Sequence, residues 1–160
     1  MQTHSSLTFV RAATLLALAM VLMVAEEPAA YAQNSVGTVT KVKGIASVQR
    51  GSLTLAAVNQ MPILLHDAIT TQAGSSVTIG LIDNSSLQLG ENGILTIDDS
   101  MLINGAGAPS KVGLYGGKLH ALIIGAMRGT STTFEVHTPN AIGAVRGTEF
   151  DVSYQEGVTR

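Results

Sequence analysis

From residue 37 onward, apolar residues recur at every second position over short stretches, each closed by glycine, proline, asparagine or aspartate. Period-two alternation sets one face of a strand against a core. Val77, Ile79 and Leu81 form one such set. Leu87 and Leu89 resume it after Asp83-Asn84-Ser85, a turn signal because Asp and Asn side chains bond their own backbone and tolerate left-handed angles. Residues 37–42 and 45–50 predict an earlier strand pair, with Lys43-Gly44 as the two-residue turn between them. Val39 and Val42 do not belong to one alternating set, so the register is open there. Residues 51–62 read as looser chain, and Pro62, which has no N–H to donate, is expected outside any central strand.

Further strands are expected at 65–71, 94–97, 101–103, 112–115, 118–124, 131–137 and 149–154. Asp98-Asp99 and Gly116-Gly117 read as turns, and residues 104–109 as a loop. No segment after the leader sustains a helical apolar stripe over three turns. The strand spacing suits a sandwich or barrel, without the constant period of a solenoid. The expected fold is all-β: a compact, mostly antiparallel β-sandwich or β-roll. Composition agrees, being rich in Gly, Thr, Ser, Val, Ile and Leu and only 12% charged.

The first 32 residues read differently. Arg11 precedes a mostly apolar run over residues 12–25, and Glu26, Glu27 and Pro28 break it. A spanning helix needs roughly 20 apolar residues, so this run is short for a membrane anchor. Ala30-Tyr31-Ala32 presents small residues at both positions a signal peptidase reads. Length, breaker and cleavage site favour a secretory leader over 1–32 and an exported, soluble chain beginning at Gln33. The membrane would be touched only through an uncleaved leader. With no cysteine, the chain can enter an oxidising compartment without mispairing. The charge balance of -2, with no basic stripe and no stacking aromatics, argues against nucleic acid as a partner.

Catalytic signatures are missing from the pattern. His66, His120 and His137 lie outside metal-ligand spacing of one another. Neither Gly74-Ser75-Ser76 nor Gly129-Thr130-Ser131 completes a nucleophile elbow. Asp98 and Asp99 are adjacent, and Asp67 and Asp83 read as turn stabilisers. Without tryptophan, a sugar platform is weakly supported. Residues 143–148 lack the Lys of a phosphate loop, and a strand follows them. No cofactor or metal is called for, and the chain is expected not to be an enzyme. An exported hydrolase would need clustered ionisable groups in a cleft, which nothing here predicts.

The most pointed segment is 138–152. It reads as a strand ended by Pro139, a tight turn at Arg146-Gly147-Thr148, and a strand in which Phe150 and Val152 alternate with Glu149 and Asp151. Gly143 and Gly147 stand where unusual backbone angles would be affordable. Arg146 is expected to lock the turn through carbonyls or a carboxylate, ahead of meeting an anionic ligand. The segment resembles the signature of the FecR family of bacterial envelope domains: Thr138-Pro139, a small-residue spacer, then Val145-Arg146-Gly147-Thr148, Phe150 and Val152. Asp67 through Thr71, Gly74-Ser75, the 77–81 alternation, Asp83-Asn84-Ser85 and 112–119 follow the family's order as well. Asn84 stands where the family usually has Gly, a mild change because Asn also reaches left-handed angles.

The resemblance implies a non-enzymatic periplasmic domain over 33–160. Such a domain acts by protein–protein contact, in signalling members reading an iron–siderophore receptor and passing the state to a sigma factor. Two departures bear on that layout. No segment large enough to bind a sigma factor precedes the apolar run, and the chain reaches Arg160 soon after the Phe150 strand, where family members usually add strands. The domain is therefore expected to be short at its C-terminus, leaving an open sheet edge at 150–160. That edge would pair with another envelope protein or a second copy. The alternative reading is an exported binding module for an envelope polysaccharide or small ligand.

Overall fold

The computed structural model of the chain describes residues 35–99, 110–124, 133–145, 149–155 and 158–160. Among them are strands and no helix: β1 (Ser35–Lys43), β2 (Ala46–Arg50), β3 (Leu53–Ala56), β4 (Pro62–Leu64), β5 (Ala68–Thr71), β6 (Ser76–Leu81), β7 (Ser86–Leu89), β8 (Ile94–Asp99), β9 (Ser110–Leu122), β10 (Phe134–Thr138), β11 (Ala141–Val145), β12 (Glu149–Gln155) and β13 (Val158–Thr159). The fold is all-β, a large curled sheet that is antiparallel apart from the β9–β10 pair.

β9 organises the sheet. Its first half pairs with β8 and β10, and its second half with β7 and β12. Two arms therefore share this strand. One arm runs β4-β1-β6-β7-β9-β12-β13; the other runs β3-β2-β5-β8-β9-β10-β11. The arms meet in one core that includes Val39, Ile79, Leu87 and Leu119 from the first, and Val48, Ile69, Leu95 and Val136 from the second. Gly116-Gly117 is not the turn between two strands that the sequence suggests. The strand runs through it and bends. Gly117 sits at φ +76, and a Cβ there would stand 2.6 Å from the Gly93 Cα. The register on β8 slips by one residue at the same place, where Tyr115 is the extra residue.

β1 resolves the open register. Val36, Val39 and Val42 all face the core although they are spaced by three. Irregular pairing between Ser35 and Gly37, and between Val39 and Lys41, inserts the extra residues that keep them on one face. The expected β1–β2 hairpin does not form. Gly44 has its positive φ of 75, but β1 pairs with β4 and β6 whereas β2 pairs with β3 and β5. The turn carries the chain from one arm to the other, and the Ser75 hydroxyl accepts the Ile45 N–H at 2.9 Å. Both strands have a core-facing row, so they contribute to the core from different arms rather than side by side.

Other expectations shift in detail. The looser stretch 51–62 contains β3 and the start of β4, and Pro62 opens a strand at the end of the pairing order, as a missing N–H requires. His66 takes φ +67 in the turn before β5, so that strand begins at Ala68. Asp98 and Asp99 do not form a turn: β8 continues through them, with Asp99 opposite Lys111. The strand expected at 101–103 and the loop at 104–109 lie outside the described residues.

Candidate functional site

The signature segment splits between the arms. Thr138 ends β10, and Pro139-Asn140 forms the turn into β11. The Thr138 hydroxyl accepts the Ala141 N–H at 3.1 Å and lies 2.7 Å from the Thr159 hydroxyl, which donates to the Asn140 side chain. The β10–β11 turn is thereby tied to β13. Val145 stands opposite Phe134 and packs on the core. Gly143 stands opposite Val136 in ordinary extended backbone, and a Cβ there would meet only the Val136 carbonyl at 3.9 Å, so no unusual angle is required. Arg146, Gly147 and Thr148 lie outside the described residues.

β12 belongs to the other arm. Phe150 and Val152 lie opposite Ala121 and Leu119 and pack against the core, the alternation the sequence predicts. On its outer face Asp151 takes the His120 Nδ1 at 3.0 Å and the Lys118 ammonium at 3.2 Å. The Glu149 carboxylate lies 3.2 Å from the other ring nitrogen of His120. The hydrogen bond with His120, then that with Lys118, holds the Asp151 carboxyl below its ordinary value of 3.8. These groups are exposed, so the cluster steadies the β9–β12 pairing only modestly.

A second polar contact is largely buried, on the Asp67 side above all. Arg50 donates to both carboxylate oxygens of Asp67, at 2.9 and 2.7 Å, and also to the Pro62 carbonyl at 2.8 Å. Asp67 is 1% exposed and accepts the Leu64 N–H at 2.8 Å. Its expected turn role holds, and the ion pair adds a clasp between β2 and the β4–β5 turn. Arg50 carries no local sequence signal, because its partner lies in a separate turn. Asp83 is a turn residue alone, accepting the Ser85 N–H at 2.8 Å.

Two features could engage a partner. The first is β11, whose residues 141–144 are exposed, with Ile142 at 67%. Among the described residues its only pairing is with β10, and it carries no charge. The edge expected at 150–160 is present as well among the described residues: β12 pairs with β9 on one side from Glu149 to Tyr154, on the other only its end pairs with β13, and β13 closes that arm. Sequence reasoning missed β11 as a further edge, although its uncharged Ala-Ile-Gly-Ala-Val run was the available signal. The second is a groove of about 610 Å³ at the β9 bend, lined among others by Asn92, Tyr115, Gly117, Tyr154 and Arg160. Among the described residues, no group of three or more His, Asp or Glu could hold a metal ion.

No curated protein matches the chain. A solved chain described as a cell surface anchoring domain is similar over 46% of this chain and 96% of its own, at 25% identity and a TM-score of 0.39. The family model described as FecR protein matches residues 67–160, which takes in Asp67, the β6–β7 turn and the whole signature segment, and the chain belongs to the FecR family.

Proposed function

We propose that this FecR-family chain is an exported, non-enzymatic domain that acts by protein–protein contact in the bacterial cell envelope. The observation that carries the reading is the uncharged strand β11, inside the signature segment, which among the described residues is paired on one side only. Unpaired N–H and C=O groups on such an edge accept a strand from another chain, and natural edges without that use are blunted by charge or proline. The leader-like residues 1–32 support export to the periplasm. Family membership supports a role in envelope signalling of the kind tied to iron–siderophore uptake, reached through contact rather than chemistry.

Crosslinking pull-down of the tagged full chain from its own envelope fraction tests this. Capture of a receptor or inner-membrane regulator by the wild type, and its loss in Ile142→Lys, supports the reading. Equal capture by both chains contradicts the β11 assignment. The groove at the β9 bend favours the second reading, a binding module for a polysaccharide or small ligand, because Tyr115, Tyr154, Asn92 and Arg160 combine ring faces with hydrogen-bonding groups. Saturable binding of an envelope glycan, lost in Tyr115→Ala, would favour that module.

A further inference from the structure

The arm that ends in β11 begins in β3, and the two end strands are matched in a way the contact reading does not require. β3 is exposed along its whole length, uncharged, and paired only with β2 among the described residues. Directly opposed residues of an antiparallel pair share a face. Leu55 is opposite Val48, which is fully buried, so Leu55 and Leu53 belong to the core-facing row. They nevertheless remain exposed, Leu53 at 60%. At the far end of the same arm, Gly143 is opposite Val136, so Gly143, Ala141 and Val145 make up the core-facing row of β11. One end strand thus presents large side chains to an unfilled layer, and the other presents the small Ala141 and Gly143 before Val145.

Strand direction matches too. Counting across β3-β2-β5-β8-β9-β10-β11, every step reverses direction except the parallel β9–β10 step. β11 and β3 therefore run in opposite directions. A second copy set beside the first in the same orientation lays its β3 antiparallel to β11, with the core-facing rows on the same side.

We propose that the partner of β11 is β3 of a second copy of this chain, a proposal that rests on the contact reading above. The register that pairs all of β3 sets Gly143 opposite Leu55, Val145 opposite Leu53, Ala144 opposite Thr54 and Ile142 opposite Ala56. Leu55 then fills the space beside Gly143, Leu53 lies beside Val145, and the core-facing layer continues from copy to copy. The contact is heterologous, so it generates open rows or closed rings rather than a two-fold dimer. A self-pairing of β11 would set small residues against small and leave the leucines of β3 in water.

The wild-type chain has no cysteine, so disulfide trapping has no background. Full chains carrying Ala144→Cys and Thr54→Cys are mixed and oxidised. The proposal predicts a mixed disulfide for this pair. It predicts none for Ala144→Cys with Leu55→Cys, whose side chains lie on opposite faces. A disulfide of Ala144→Cys with itself overturns the proposal in favour of two-fold pairing of β11. Sedimentation supplies the second measurement. The pairing lies at the small end of protein interfaces, below about 1,200 Å², so it is read at high protein concentration. Ile142→Lys and Thr54→Lys should each weaken association by about ten-fold, as charges do on natural edges, with the thermal transition unchanged. A wild type that stays monomeric overturns the proposal. If β11 then still crosslinks a different envelope protein, the contact reading survives; if it crosslinks nothing, both fall.

Discussion

Phe134 on β10 and Phe150 on β12 stand with ring centroids 6.2 Å apart and planes inclined at 58°. The two strands belong to different arms and share no register, so this tilted pair joins the arms where the signature segment crosses between them. Such pairs add about 0.5–1.5 kcal/mol beyond the area they bury. Phe150→Ala is expected to lower stability by about 3 kcal/mol, the low end for a truncated core aromatic, because Phe150 is only partly buried. Urea denaturation checks this, and a loss below about 0.5 kcal/mol, the size of an ordinary surface change, would remove the pair from the account.

The Arg50–Asp67 clasp makes a different prediction. Removing one member of a buried pair costs about 3–5 kcal/mol because the other charge is stranded. Arg50→Met should approach that cost, since Asp67 is 1% exposed. Arg50→Met with Asp67→Leu should recover part of it, less the hydrogen bond from the Leu64 N–H. A double variant no more stable than the single one would show that the carboxylate matters through the turn alone.

The outer cluster on β12 predicts a pH effect of known sign. The folded-state pKa of Asp151 is depressed, so its contribution is present above the ordinary value of 3.8 and is lost as pH falls through the lower folded value. Asp151→Asn should therefore lie below the wild type in melting temperature at neutral pH. The two curves should converge as pH drops below 3.8. A gap that persists at low pH would mean the carboxylate's charge is not what acts.

Two glycines separate by geometry. Gly117 has positive φ, and a Cβ would meet Gly93 and Glu91 backbone within 3 Å. Gly117→Ala should cost about 2 kcal/mol or more, because angle and space both fail. Gly143→Ala meets neither obstacle and should stay within about 0.5 kcal/mol of the wild type. Thermal melts of the two variants decide the matter, and equal effects would contradict the bend assigned to β9.

What the sequence discloses follows the range of the physics. The β6–β7 hairpin was readable because Asp83, Asn84 and the alternating Val77, Ile79, Leu87 and Leu89 act within a dozen residues. Phe150 and Val152 were readable for the same reason. The β1–β2 pairing was misread because Gly44 has the right angle for a hairpin, and only the distant β4, β5 and β6 decide that the strands separate. β9 was divided in two because Gly116-Gly117 looks like a turn, whereas β8 pairs up to Gly116 and β12 takes over at Gly117, so the strand bends there without ending. The edge at 150–160 was legible because those strands close the chain, whereas β11 is an end strand only in pairing order among the described residues. Arg50 as partner of Asp67 left no trace in any short window.

The contact edge proposed for this chain is β11. A photo-crosslinking residue placed at Ile142 of the full chain, activated in the native envelope, tests it most directly. A second position at Gln88, which is exposed on β7 between two paired strands, serves as control. A discrete protein adduct is expected from position 142 and none from position 88. Adducts of equal yield at both positions, or none at 142, would contradict it.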